Sequence, residues 1–191
     1  MPAVQPAAAQ DLCALRFAPA ILFLGVAPQV AERCLAGDAP QFAEALPLRD
    51  DVSTDEITPL PILTHYDDKL GRYPYTGFKA GDRLPIGTDA IRTSRIEVVV
   101  AGKRYGKGSS REHSPAAEKL AGVRLVIAES FERIYRQNAD NIGLITSTDF
   151  SLVDRIAAGE IDPYAAAAEL INRVLNAGVV SGSPIPDPGT R

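Results

Sequence analysis

Apolar residues in this chain gather in short runs, and polar stretches rich in glycine and proline separate them. "ILFLG" (Ile21–Gly25), "RIEVVVAG" (Arg95–Gly102), "VRLVIAES" (Val123–Ser130) and "GLITST" (Gly143–Thr148) read as strands, the third of them buried. Helical stretches alternate with them. "PQVAERCLAG" (Pro28–Gly37) has proline early and glycine as its stop. "SPAAEKLAG" (Ser114–Gly122) reads with Ser114 at the N-cap, Pro115 in the first turn and Gly122 just past the end. "SFERIYRQNAD" (Ser130–Asp140) carries Phe131, Ile134 and Tyr135 toward the core. "SLVDRIAAG" (Ser151–Gly159) has a Ser151/Asp154 capping pattern, and a last helix runs from its Asp162 cap to Gly178. Strand–helix alternation of this kind predicts an α/β domain with helices packed on a central sheet.

Two polar segments interrupt the pattern. "DDVSTDEITPLP" (Asp50–Pro61) is bounded by proline and reads as a loop. "THYDDKLGRYPYTGFKAGDR" (Thr64–Arg83) has no sustained period and reads as a long surface loop, the kind that carries specificity. The boundaries expected are an N-terminal extension over 1–45, suited to partner docking, the domain proper over 46–180, and a disordered tail over 181–191.

Composition narrows the function classes. The net charge of −4 over 191 residues argues against general nucleic-acid binding. The most apolar run, Ala20–Ala27, is far shorter than the roughly 20 residues a membrane helix needs. Its flanks are wrong for a secretory signal, since Asp11 precedes it and Arg16 is the nearest upstream cation. Cys13 and Cys34 form neither a disulfide framework nor a metal motif, which fits a reducing, cytoplasmic setting and no metal site on this chain.

Against that acidic background, "KRYGKGSSREHSP" (Lys103–Pro115) packs four cations, two serines and one of only two histidines into one turn. A P-loop is excluded, because Lys107 is followed by Gly108 rather than Ser or Thr. No G-x-S-x-G elbow supports a serine hydrolase. A glycine turn feeding a helix start favours an anion, and Arg111 adds a planar fork suited to a carboxylate. Such surroundings also stabilise a serine alkoxide, so Ser109 is a candidate base toward a C–H bond. For an isolated Ser-Ser-Arg, a capped turn with a solvated basic face is the favoured account.

"YGKGSSREHSP" (Tyr105–Pro115) closely resembles the signature of the swivelling domain of the aconitase superfamily, which is a separate chain in the small subunits of isopropylmalate isomerase and homoaconitase. "STDEITP" (Ser53–Pro59) resembles that family's Thr-Asp loop, and "VIAESFERIYRQNADNIGL" (Val126–Leu144) its strand–helix block. The three blocks fall in order within Asp51–Phe150. The resemblance implies an aconitase-type swivelling β/β/α domain that closes over a large partner holding a [4Fe-4S] cluster. The implied reaction dehydrates and rehydrates a hydroxylated di- or tricarboxylic acid. The serine base then falls on Ser109, with Arg111 and Asp55 beside it in the catalytic set. Ser110 and Thr58 fall on substrate-binding positions, and Arg72, the one arginine between Thr58 and Arg83, is a further substrate-binding candidate whose distance from the motif departs from the family's pattern. Arg133 and Asn138 are expected to brace loops, and Glu112 and His113 to orient the turn. A non-catalytic carboxylate-binding or regulatory module that keeps the fold is the alternative.

Overall fold

The computed structural model describes residues 20–64, 67–108 and 111–179. Its centre is a four-stranded parallel sheet, β1 (Ala20–Phe23), β2 (Ile96–Ala101), β3 (Leu125–Ala128) and β4 (Ile145–Ser147), ordered as in the chain. Val98–Ala101 of β2 lie opposite Leu125–Ala128 of β3, and Leu125–Ile127 lie opposite Ile145–Ser147. All four residues of β3 are buried, as a parallel strand covered on both faces requires.

Parallel neighbours need crossovers, and helices supply them. α4 (His113–Ala121) joins β2 to β3, and α5 (Arg133–Ile142) joins β3 to β4. Both end on a glycine in the left-handed region, Gly122 at φ 107° and Gly143 at φ 72°. Between β1 and β2 run α1 (Pro28–Leu35), a one-turn α2 (Thr54–Ile57), α3 (Ala90–Thr93) and 3₁₀ turns at Phe42–Ala45, Leu60–Thr64 and Asp68–Arg72. α6 (Ser151–Ala157) and α7 (Pro163–Val179) follow β4. Residues 20–45, set apart in the sequence reading as an extension, supply β1 and α1, and Leu22, Phe23, Val30 and Cys34 belong to the same core as β2 and β3. The tail over 181–191 and Cys13 lie outside the described residues.

Several local expectations need correction. Ser114 is not the N-cap of α4; it is fully buried inside the first turn, and its hydroxyl donates to the Thr54 carbonyl at 3.3 Å. At α6 the cap acceptor is Asp149, which takes the Ser151 amide at 3.0 Å, because the aspartate precedes the helix while Asp154 lies within it. Asp162 does cap α7, accepting from the Ala165 amide at 2.8 Å, but the helix continues through Gly178. Ile134 is 43% exposed rather than in the core. The loop over Asp50–Pro61 contains α2, started by a capping box. The Ser53 hydroxyl accepts from the Glu56 amide at 3.2 Å, and the Glu56 carboxylate accepts from the Ser53 amide at 2.9 Å.

The largest correction concerns the segment read as a surface loop. Leu70, Gly71, Pro74, Tyr75, Phe78 and Ala80 are buried. The Asp68–Arg72 turn packs on α4 so closely that a Cβ at Gly71 would lie 2.7 Å from the Leu120 carbonyl. Irregular backbone can be buried here because it is paired: Tyr75 N–H donates to Ile57 O at 2.8 Å and Gly77 N–H to Glu56 O at 3.2 Å. His65 and Tyr66, in the same segment, lie outside the described residues.

Candidate active site

The basic turn after β2 is laced to its neighbours on both sides. Gly106 and Lys107 N–H donate to Val52 O at 2.9 and 3.2 Å, and Thr54 N–H returns a bond to Lys107 O at 2.8 Å. On the other side Tyr105 N–H donates to Ser130 O at 2.9 Å, and Glu132 N–H donates to Tyr105 O at 2.8 Å. Two short parallel bridges, Ser53 with Lys107 and Tyr105 with Phe131, therefore hold the turn between the Thr-Asp segment and the start of α5. Close approach explains the glycine at 106. Its φ is +80°, and a Cβ there would lie 2.3 Å from the Tyr135 side chain.

These segments enclose a cleft of about 190 Å³ lined by Thr54, Gly106, Gly108, Arg111, Glu132, Arg133, Ile134 and Tyr135. Arg111, in this lining, pairs with Asp55. The arginine side chain is 12% exposed and the aspartate 58%, so the guanidinium is held in the wall while the carboxylate can exchange with solvent or another anion. Two of the candidate residues, Arg111 and Asp55, thus come together from positions 56 residues apart. Ser109 and Ser110 lie outside the described residues, between Gly108 and Arg111, both of which line the cleft.

Thr58 and Arg72 do not line it. Thr58 is completely buried behind α2, with its amide donating to Thr54 O at 2.8 Å. Arg72 makes a two-pronged pair with Asp89, at 2.7 to 3.1 Å. That pairing holds the Asp89 carboxyl below the usual carboxylate range. Arg133, expected to brace a loop, instead stands exposed at the start of α5 and lines the cleft with Glu132 and Ile134. A helix period sets Ile134 one position from the buried Tyr135 face, which is the signal that it points elsewhere.

Just beneath the cleft is a residue the sequence reading passed over. Glu118 of α4 is fully buried and accepts from three phenols: Tyr75 and Tyr105 at one oxygen, and Tyr135 at the other, at 2.5 Å. Tyr75 and Tyr105 also touch each other, oxygen to oxygen, at 2.8 Å. Burial pushes the Glu118 carboxyl up to about 7 against the opposing pull of the three donors. The same burial, with the Glu118 charge, holds the three phenols well above their ordinary range. The signal was present: Ser114, Ala117, Glu118 and Ala121 share one helix face, so the glutamate sits on the apolar stripe.

Among the described residues no group of three or more His, Cys, Asp or Glu side chains could hold a metal. Cys34 is buried in the core, where burial pushes its thiol up. The described residues therefore do not fit an iron–sulfur cluster.

Residues 80–148 match the aconitase C-terminal domain. The 3-isopropylmalate dehydratase small subunit of Nitratidesulfovibrio vulgaris is 35% identical over 72% of this chain and 78% of its own length. That of Moorella thermoacetica is 41% identical over 64% of this chain and 71% of its own. This chain belongs to the family of 3-isopropylmalate dehydratase small subunits. Another member, from Halothermothrix orenii, is 42% identical over 59% of this chain; there the match spans 64% of the relative's length. A solved structure of 3-isopropylmalate dehydratase from Methanocaldococcus jannaschii is 39% identical, covering 51% of this chain and 55% of that one, with a TM-score of 0.41. The match to the aconitase C-terminal domain takes in the basic turn, α4 and the start of α5, which carry most of the cleft; Thr54 and Asp55 precede it.

Proposed function

We propose that this chain is the small, swivelling subunit of a hydro-lyase or isomerase that moves a hydroxyl between adjacent carbons of a di- or tricarboxylic acid of the isopropylmalate or aconitate kind. The observation that carries the reading is the Arg111–Asp55 pair, whose arginine lines the cleft and which joins the two segments in which the family resemblance puts the chemistry. A [4Fe-4S] cluster belongs, in this reading, to a large partner subunit. Support comes from the names of the relatives, which are small subunits, and from the sequence, whose two cysteines, Cys13 and Cys34, are fewer than the three thiolates such a cluster takes. A reducing cytoplasm suits both the partner's cluster and the free Cys34.

Four residues of this chain are assigned roles. Arg111 receives a substrate carboxylate through its two parallel N–H groups, the geometry for which guanidinium is suited and ammonium is not. Asp55 supplies the counter-charge that keeps this arginine aimed when no carboxylate is present. Ser109, as alkoxide, takes the proton from the carbon beside that carboxylate. The C–H electron pair becomes the new double bond, and the hydroxyl on the neighbouring carbon departs with its bonding pair. Ser110, next to it, supports the carboxylate. Rehydration runs the same steps backward, with the serine hydroxyl returning the proton.

The test is reconstitution. The purified chain and its cluster-bearing partner, mixed anaerobically and assayed on a panel of malate and citrate homologues, are expected to show activity absent from either alone. Arg111→Lys is expected to be nearly as damaging as Arg111→Ala. The two-chain reading fails if this chain alone shows the broad visible absorbance of an iron–sulfur cluster and dehydrates a hydroxy-acid.

A further inference from the structure

The cluster around Glu118 contains four oxygen–oxygen contacts of hydrogen-bonding length or less among four groups. Tyr75 and Tyr105 each meet one carboxyl oxygen, Tyr135 meets the other, and Tyr75 meets Tyr105. Each contact needs one hydrogen between its oxygens. Three phenols supply three. An ionised Glu118 adds none, leaving one pair of oxygens facing each other without a hydrogen. A neutral Glu118 adds the fourth, and every contact is then a hydrogen bond. The count rests on geometry alone.

Each partner comes from an element that bears on the cleft. Tyr135 is in its lining, Tyr105 immediately precedes Gly106, and Tyr75 belongs to the segment stitched to α2 behind Asp55. Glu118 itself lies on the helix that begins two residues after Arg111. Among the described residues, the groups acting on its carboxyl are these three phenols, one from each packed element, and no cation.

We infer that Glu118 is a positioning residue for the cleft: as a neutral acid it ties together the three tyrosines that form and back its inner wall, and its ionisation loosens that wall. As a statement about catalysis this rests on the function proposed above; as a statement about the cleft it does not. Ionisation removes one hydrogen from a fully buried network, so one contact must open. Tyr75 and Tyr105 share that contact, and the backbone of Tyr105 leads directly into Gly106 and Gly108.

The full chain, labelled at its glutamate carboxyl carbons and backbone amides and followed by NMR against pH, decides the matter without substrate or partner. The Glu118 carboxyl is expected to titrate near 7, with the Gly106 and Gly108 amides shifting at the same midpoint. A glutamine at this position has an oxygen acceptor and two N–H donors without ionising, so Glu118→Gln is expected to hold both amides at their low-pH positions throughout. Should that variant fail to fold, Tyr135→Phe serves. It removes a donor to the carboxylate and is expected to move the midpoint to higher pH. The inference is overturned if no carboxyl titrates near neutrality in the wild type, if the glycine amides ignore that titration, or if Tyr135→Phe leaves its midpoint in place. Because nothing here depends on turnover, a failed reconstitution and a failed titration are separate results.

Discussion

The basic turn around Lys103–Arg111 and the segment Asp67–Phe78 look alike in sequence. Both are irregular and carry glycines, tyrosines and charges. The structure uses them in opposite ways. The turn leaves Lys103, Arg104 and Lys107 exposed and directs Arg111 into the cleft wall, while backbone bonds to Val52 and Ser130 hold it in place. The second segment exposes its charges too, but drives Leu70, Tyr75 and Phe78 into the core and gives the Tyr75 hydroxyl a buried acceptor. Absence of periodicity therefore says that backbone is irregular, not that it is superficial. What separates the two is where the aromatic hydroxyls find partners, and that depends on a glutamate more than forty residues away.

The strongest way to break the comparison is at the turn. If Ser109 is the carbon base, Ser109→Ala in the reconstituted enzyme is expected to lower kcat by about three orders of magnitude or more, with KM little changed. The lost interaction forms mainly in the transition state. Near-normal turnover would take the turn out of the chemistry and make it a gripping site only.

The second segment is tested through stability. Tyr75 is fully buried and fills space between α2 and α4. Tyr75→Ala is expected to cost about 3–5 kcal/mol in denaturant unfolding, as large aromatic deletions in cores do. A surface loop would give a change within about 0.5 kcal/mol. A variant of unaltered stability and altered substrate ranking would restore this segment to the role of a specificity loop.

Much of this arrangement is legible in the residues. Continuous apolar runs such as Leu125–Ala128 mark buried parallel strands, and Gly122 and Gly143 mark helix ends because the left-handed conformation is cheap only there. The three motif blocks lead to Asp55 and Arg111, which the fold brings into contact. Other features are harder to read because they depend on distant partners. Ser114 matches an N-cap by type, yet tertiary packing against Thr54 turns its hydroxyl inward. Arg133 looks like any helix cation until α5 is seen to start at the cleft. Glu118 looks like a surface charge unless its place on the buried stripe of α4 is counted.

Glu118 also gives the comparison a pH dependence. Its carboxyl rises from the ordinary 4.5 to about 7 on folding. Below the lower value both states are protonated and the group has no effect. Between the two the unfolded chain releases a proton that the folded chain keeps, so stability falls as pH rises, and above the upper value the deficit is constant at about 3 kcal/mol. Unfolding free energies at pH 4 and pH 8 are expected to differ less in Glu118→Gln than in wild type by roughly that amount. Equal slopes in the two proteins would mean that Glu118 is ionised at its ordinary pH.

The smallest effect is expected at Arg72, where the family resemblance and the geometry pull apart. As a substrate arginine it should be available to a carboxylate; in the structure both prongs of its guanidinium are already committed to Asp89, and it is absent from the cleft lining. The pair is solvent-exposed, where screening and side-chain entropy leave little net contribution to folding. Arg72→Ala is therefore expected to leave stability, kcat and KM within about twofold of wild type, whereas loss of a carboxylate contact in an active site raises KM far more than that. Asp89→Ala sharpens the test, since it frees Arg72 without removing it. If Arg72 were waiting on the swivel to close before taking up substrate, Asp89→Ala would lower KM and Arg72→Ala would raise it. Two flat results would confine carboxylate recognition on this chain to the turn and the Thr-Asp segment, and the second carboxylate would then have to be met from the partner's side.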